Sequence, residues 1–237
     1  MTAKYSPRNI ARYLYSKVKK IVFTLYEVFF PEFIIDQKLI TDTVEKFKLQ
    51  DITAKIKSTL DGFTFDDTDN VHYSDNMLRW VGADKHFKNN PLFLNPPNVA
   101  AIDFLLKNVQ KDAHILDHGT GLGNLLIYLR ELGFKNSFGY DNFSQFKEET
   151  IKNFLAHFNL SGAVLTKEEV AGFRTKVLVC ISYFWSKLDK DLIDKEINNP
   201  DLEYILLDHY YASYHIKNFK IIGIYKNLLI VFKRVSK

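Results

Sequence analysis

Apolar residues follow two alternating periods over the second half of the chain. Short runs at Ile115–Leu116, Ser137–Tyr140, Ala163–Leu165, Lys176–Tyr183 and Leu202–Leu207 read as strands. Between them apolar residues recur at helical spacing: Leu122, Leu125, Leu126 and Leu129 up to a stop at Gly133, then Ile151, Phe154, Leu155 and Phe158 in a helix from about Ser144. Phe219–Tyr225 and Leu228–Phe232 form a hairpin around Lys226-Asn227. Strands alternating with helices predict a parallel sheet covered on both faces, and the hairpin adds an antiparallel strand.

Upstream the pattern is helical and polar. Thr41–Leu60 reads as one helix, with Asp42 and Glu45 as a capping pair, an apolar stripe including Phe47, Ile52 and Ile56, and Gly62 as the stop. Asp61–Asp75 reads as a polar connection, because it lacks the alternation and central glycine of a calcium loop. In His72–Phe87, the residues His72, Tyr73 and Trp80 are either lid residues or, for Trp80, core. At Asn95-Pro96-Pro97, Asn95 reads as an N-cap and the prolines open a helix bearing Val99, Ile102, Leu105, Leu106 and Val109. The same residues partly match an amino-methylation motif, but Asn98 stands where an aromatic would stack on a flipped base. These patterns divide the chain into a helical N-terminal part, residues 1–95, and an α/β domain, residues 96–237.

Composition narrows the class. The chain has 237 residues, 46% of them hydrophobic and 25% charged, which suits a globular protein with one substantial core. Its single cysteine, Cys180, excludes a disulfide framework and suits a reducing, cytoplasmic setting. The net charge of +4 is matched by the first 35 residues alone, so the remainder balances and a nucleic-acid groove across the whole protein is not expected. Ile21–Ile35 is shorter than the roughly 20 apolar residues of a span and is interrupted by Glu27, Pro31 and Glu32. Residues 1–35 therefore read as a packing helix or as a basic amphipathic segment resting on the inner face of an anionic membrane.

The candidate chemistry lies in AHILDHGTGLGNLLIYLRELGFKNSFGYDN, residues 113–142. A strand enters a loop with Gly119, Gly121 and Gly123, a helix follows, and a second strand ends on Asp141. Such a unit holds a nucleoside: glycines let backbone approach the ligand, the helix start offers N–H groups, and the carboxylate accepts from ribose hydroxyls. The dinucleotide fingerprint fails, because Asn124 replaces its third glycine. What is present is D-x-G-x-G-x-G, from Asp117 to Gly123.

That pattern resembles motif I of the class I S-adenosylmethionine-dependent methyltransferases, and Tyr140-Asp141 resembles their ribose-binding strand end. The resemblance runs from about Asn98 onward. It implies a Rossmann-like, doubly wound, mostly parallel seven-stranded sheet with a C-terminal antiparallel hairpin, preceded by a helical cap. It further implies S-adenosylmethionine held by Asp117, Gly119, Thr120, Gly121, Gly123, Asp141, Asn142, Phe143 and Ser182, with Phe143 lying on the adenine. Three departures stand out. Only Glu168 and Glu169, both late, can serve as the acid after strand three; Thr175-Lys176 opens strand four without an acid; and the helix before the hairpin shrinks to Tyr210–Ile216.

Ligands of open α/β sheets lie beyond the carboxyl ends of the strands, which puts Ser182-Tyr183-Phe184-Trp185 and Asp208-His209-Tyr210-Tyr211 at the acceptor site. His209 reads as a general base oriented by Asp208, or as a surface histidine; Tyr183, Trp185 and Tyr210 read as an aromatic wall, with Tyr183 at the reacting end. The expected acceptor is a small molecule or a glycan, methylated at oxygen, with no nucleic acid and no metal, and a homo-oligomer left open. The competing readings are a catalytically degenerate binding or scaffold protein, a nucleic-acid base methyltransferase and a nicotinamide oxidoreductase.

Overall fold

The computed structural model describes residues 42, 45–65, 94, 96–142, 146–181, 190–208, 216–225 and 229–235. The chain falls into two compact units, Met1–Asp36 and Gln37–Lys237, and every described residue belongs to the second. Expectations for residues 1–35, the lid residues His72, Tyr73 and Trp80, and Tyr210–Tyr211 lie outside the described residues.

The elements, in chain order, are α1 (Gln50–Gly62), α2 (Pro96–Asn108), β1 (Ile115–His118), α3 (Asn124–Glu131), β2 (Ser137–Tyr140), α4 (Glu148–Ala156), α5 (Lys167–Gly172), β3 (Val177–Cys180), α6 (Lys190–Asn198), β4 (Tyr204–Asp208), β5 (Phe219–Tyr225) and β6 (Leu229–Arg234). Among the described residues six strands form one mixed sheet in the order β2-β1-β3-β4-β6-β5. β1 through β4 are parallel, while β6 runs antiparallel to both β4 and β5.

The seventh strand expected at Ala163–Leu165 is reduced to a single parallel bridge, Gly139 to Val164, beside β2. Two local structures crowd it out. A 3-10 turn occupies Ser161–Ala163, and a capping box opens α5, in which the Thr166 hydroxyl accepts from Glu169 N–H and the Glu169 carboxylate accepts from Thr166 N–H. The chain nevertheless passes outward from β1 to β2 to Val164 and then returns to β3 on the other side of β1. Right-handed crossovers taken in opposite directions put their helices on opposite faces. The apolar residues agree. Val170 of α5 and Leu192 and Ile193 of α6 share one buried cluster with Leu116, Leu178 and Ile205, whereas Ile115, Val177 and Leu206, pointing the other way along strands of period two, are equally buried. Burial of both faces is what makes the sheet doubly wound.

Two helices differ from expectation. The helix predicted over Thr41–Leu60 is interrupted: Lys48 takes φ +52° and α1 begins at Gln50. The break turns Leu49 fully inward and lets the Thr53 hydroxyl donate to its carbonyl at 2.7 Å. α1 then packs on the α/β domain, with Thr53 and Tyr128 hydroxyls 2.9 Å apart and Phe63 edge-on to Phe154. α6, by contrast, had no predicted counterpart. It ends under Arg234 of β6, whose guanidinium donates to the Ile197, Asn199 and Leu202 carbonyls and so satisfies a helix terminus from the hairpin. α2 begins at Pro96 as the prolines require, burying Val99, Ile102 and Leu105.

Candidate functional site

Parallel pairing aligns His118 with Tyr140 and Cys180 with Leu207, so β1 to β4 all present their carboxyl ends on one side. The direction of the chain reverses between β1 and β3, the position at which such sheets usually take a ligand. Residues Asp117 to Gly123 lie at that position. Gly119, Gly121 and Gly123 adopt φ of +86°, +54° and +80°, a left-handed backbone that a side chain would strain.

The loop is tied down from both strands. Gly119 and Thr120 N–H both donate to the Tyr140 carbonyl, at 2.7 and 3.1 Å, and Gly123 N–H donates to the Thr120 carbonyl at 2.9 Å. Gly121 N–H donates to Asp141 Oδ2 at 3.0 Å, which joins the loop to the acidic strand end. Beneath it the Thr120 hydroxyl donates to Asp117 Oδ2 at 2.9 Å. Burial pushes the Asp117 carboxyl up to about 7 despite the Thr120 hydrogen bond, and the nearby negative charge of Asp141 adds to the rise. Two buried carboxylates thus lie together at the loop.

Two glycines act through packing. A Cβ on Gly123 would lie 2.9 Å from both Leu155 methyls, so α4 closes against the loop only if that position is bare. On Gly139 it would lie 2.7 Å from both Leu126 Cδ1 and Thr120 Oγ1. Gly139 is a site residue that sequence reasoning missed, and its signal was a glycine inside a strand, which marks close approach of neighbours. At Gly121, no atom of the described residues stands within 4 Å of where a Cβ would be, so its positive φ, not packing, is what favours glycine there.

The structure therefore brings together Asp117, Gly119, Thr120, Gly121, Gly123 and Asp141, with Asn142 exposed beside them. Thr120 turns its hydroxyl onto Asp117, which makes it a positioning residue. Phe143, Ser182, Tyr183 and His209 lie outside the described residues, and Asp208 is the last residue of β4. Glu169, one of two acids considered for an adenine contact, is engaged in the α5 capping box instead. His118 is buried edge-on to Tyr140, with ring centroids 5.0 Å apart. The Cys180 thiol is held protonated by burial and by the charges of Asp117 and Glu196, which leaves it a small apolar core group.

The residues present fit a nucleoside: the Asp141 carboxylate at the end of β2 is placed where vicinal hydroxyls could donate to it, beside a glycine backbone that allows close approach. Among the described residues no group of three His, Cys, Asp or Glu is placed to hold a metal ion, and no helix is long and apolar enough to cross a membrane.

No family model and no curated protein sequence matches the chain. Solved structures do. A NADB-Rossmann superfamily protein from Streptococcus agalactiae matches at 14% identity and a TM-score of 0.42, over 61% of this chain and 70% of that one. A ribosomal protein L11 methylase from Lactobacillus delbrueckii subsp. bulgaricus matches at 16% identity and a TM-score of 0.41, over 59% and 79%. Magnesium protoporphyrin IX methyltransferase from Synechocystis PCC 6803, solved with bound SAH, matches at 14% identity and a TM-score of 0.44, over 70% and 96%. These likenesses assign no role to the chain, and its own strand order makes it a doubly wound, mostly parallel α/β protein.

Proposed function

We propose that the protein is an S-adenosylmethionine-dependent methyltransferase that acts on a small-molecule or sugar-containing acceptor at oxygen. The observation that carries this reading is the glycine loop hydrogen-bonded through Gly121 to Asp141, with Asp117 buried behind it. Asp141 would hold the ribose hydroxyls, and the backbone of Gly119 to Gly123 would follow the nucleoside. When bound, such a cofactor supplies an electrophilic methyl group on a sulfonium.

The chain's task is then positioning. Residues at the ends of β3 and β4 must hold the acceptor oxygen in line with the methyl carbon and keep water out. His209 would serve as the general base that takes the proton of the acceptor hydroxyl, with Asp208 as its partner carboxylate. Asp208→Asn and His209→Ala should each lower turnover by roughly a hundredfold or more, the usual weight of general-base catalysis. Unchanged turnover in both would remove the base assignment.

One observation favours a second reading, a binding protein that has lost catalysis: Glu169 is committed to the α5 capping box and is not offered to an adenine. Calorimetric titration with S-adenosylmethionine, S-adenosylhomocysteine and NAD, with Asp141→Ala as control, separates the readings. Micromolar binding of the first two, lost in the variant, supports the proposal. Binding of NAD alone would make the protein an oxidoreductase candidate, and no binding by folded protein would sink the enzyme reading.

A further inference from the structure

The large aliphatic side chains exposed among the described residues are Ile221, Ile222, Ile224 and Val235, at 43 to 47% exposure. All lie on one hairpin. Three are on β5, the outermost strand of the sheet, and Val235 N–H donates to the Asn218 carbonyl at 2.9 Å, just before β5 begins. Ile221 and Ile224 stand opposite Phe232 and Ile230, so they continue the apolar face of the sheet beyond its cover. An exposed apolar row on a strand that has no further neighbour among the described residues is costly to leave in water and marks a contact surface.

The segment itself carries charge of one sign. Residues 217–237 contain Lys217, Lys220, Lys226, Lys233, Arg234 and Lys237 and not one Asp or Glu. Lys217 and Lys220 are exposed at the start of the strand, whereas Lys233 faces Glu203 at 4.0 Å and Lys107 of α2, over the Tyr225 ring, is paired with Asp103 at 2.8 Å. The overall balance of the chain outside its first 35 residues had concealed this basic segment.

We propose that the β5 edge docks on an anionic membrane, with the isoleucines entering the headgroup boundary and the lysines meeting the lipid phosphates. This surface is separate from residues 1–35. Apolar insertion and basic attraction act together at such interfaces. Nucleic acid would use the lysines and gain little from aliphatic side chains. A second copy paired edge to edge would set lysines against lysines without an acid between them, and the bulge between Ile221 and Gly223 breaks the ladder such pairing needs.

Sedimentation of the full chain with vesicles of phosphatidylcholine, with and without phosphatidylglycerol, tests the proposal. Binding should require the anionic lipid and weaken as salt is raised. Lys217→Gln with Lys220→Gln should weaken it by roughly twentyfold, at about a factor of five per lysine. Ile222→Ser with Ile224→Ser should weaken it at least as much, with both double variants retaining the parent's thermal melting profile. Equal binding by parent and both variants, no binding by the parent, or a β5-dependent dimer or oligonucleotide complex in place of vesicle binding would each overturn it. The charge-only variant keeps the test decisive if the isoleucine variant misfolds.

Discussion

The glycine loop and the β5 edge use the same residue type under opposite conditions. Gly123 and Gly139 are bare because neighbours stand within 3 Å of where a Cβ would be, whereas Gly223, in the β5 bulge, would meet nothing within 4 Å. At the loop, backbone donors are matched by Tyr140 and Asp141, and the polar side chains are buried; at the edge, an outer row of backbone groups and aliphatic side chains faces outward. The first arrangement is closed by the protein's own packing. The second is a surface that packing has not closed. A binding loop and a docking edge thus differ less in composition than in which groups the fold has already paired.

The largest effect should come from removing the acid that joins the loop to β2. Asp141→Ala should cut S-adenosylmethionine affinity by roughly a hundredfold, since charge-assisted hydrogen bonds contribute about 1.5–3 kcal/mol each. Titration calorimetry reads it, and unchanged affinity would detach Asp141 from the site. Next are the glycines themselves. Gly139→Ala should destabilise by about 1–3 kcal/mol, because the Leu126 and Thr120 side chains it meets are both buried. Gly223→Ala should cost about 1 kcal/mol or less, from backbone strain alone. Equal losses in urea unfolding would erase the distinction between the two regions.

Titration sharpens it further. Asp117 sits near 7 when folded and near about 3.9 when unfolded. Between those values the folded protein keeps a proton that the unfolded chain has released, so stability falls as pH rises, by on the order of 1 kcal/mol per pH unit. The stabilising contribution is complete below about pH 4 and lost by about pH 7. Asp117→Asn should flatten the slope of urea midpoints between pH 5 and 8. A weaker slope of the same sign should remain from Glu196, which burial also pushes up. A similarly small effect is expected at the α5 cap, where Thr166→Ala should cost about 1 kcal/mol by removing the acceptor for Glu169 N–H.

Much of the fold was legible because its signals are local. The β1-loop-α3-β2 unit matches the spacing of Ile115, the three glycines, Gly133 and Asp141, since short parallel strands and glycine turns leave their pattern within a few residues. The helix opened by Pro96 and the hairpin pairing of Phe219–Tyr225 with Leu229–Arg234 were legible for the same reason. The strand at Ala163–Leu165 was misjudged because apolar composition said nothing of the capping box that begins one residue later. The break at Lys48 was equally hidden, because lysine carries no signal for a left-handed backbone and Leu49 dictates the turn by being buried.

The sequence by itself determined the order of strands and helices, the positions that must lack a side chain, and the two acids near the loop, because turn geometry and hydrophobic period act over short separations. Only the tertiary structure decided that Asp117 is bonded by Thr120 and has its carboxyl pushed up to about 7 by burial, that Gly139 is bare for the sake of Thr120 and Leu126, and that the isoleucines of β5 are exposed. Those facts depend on which strands become neighbours and which strand is left at the edge, and long-range burial sets both.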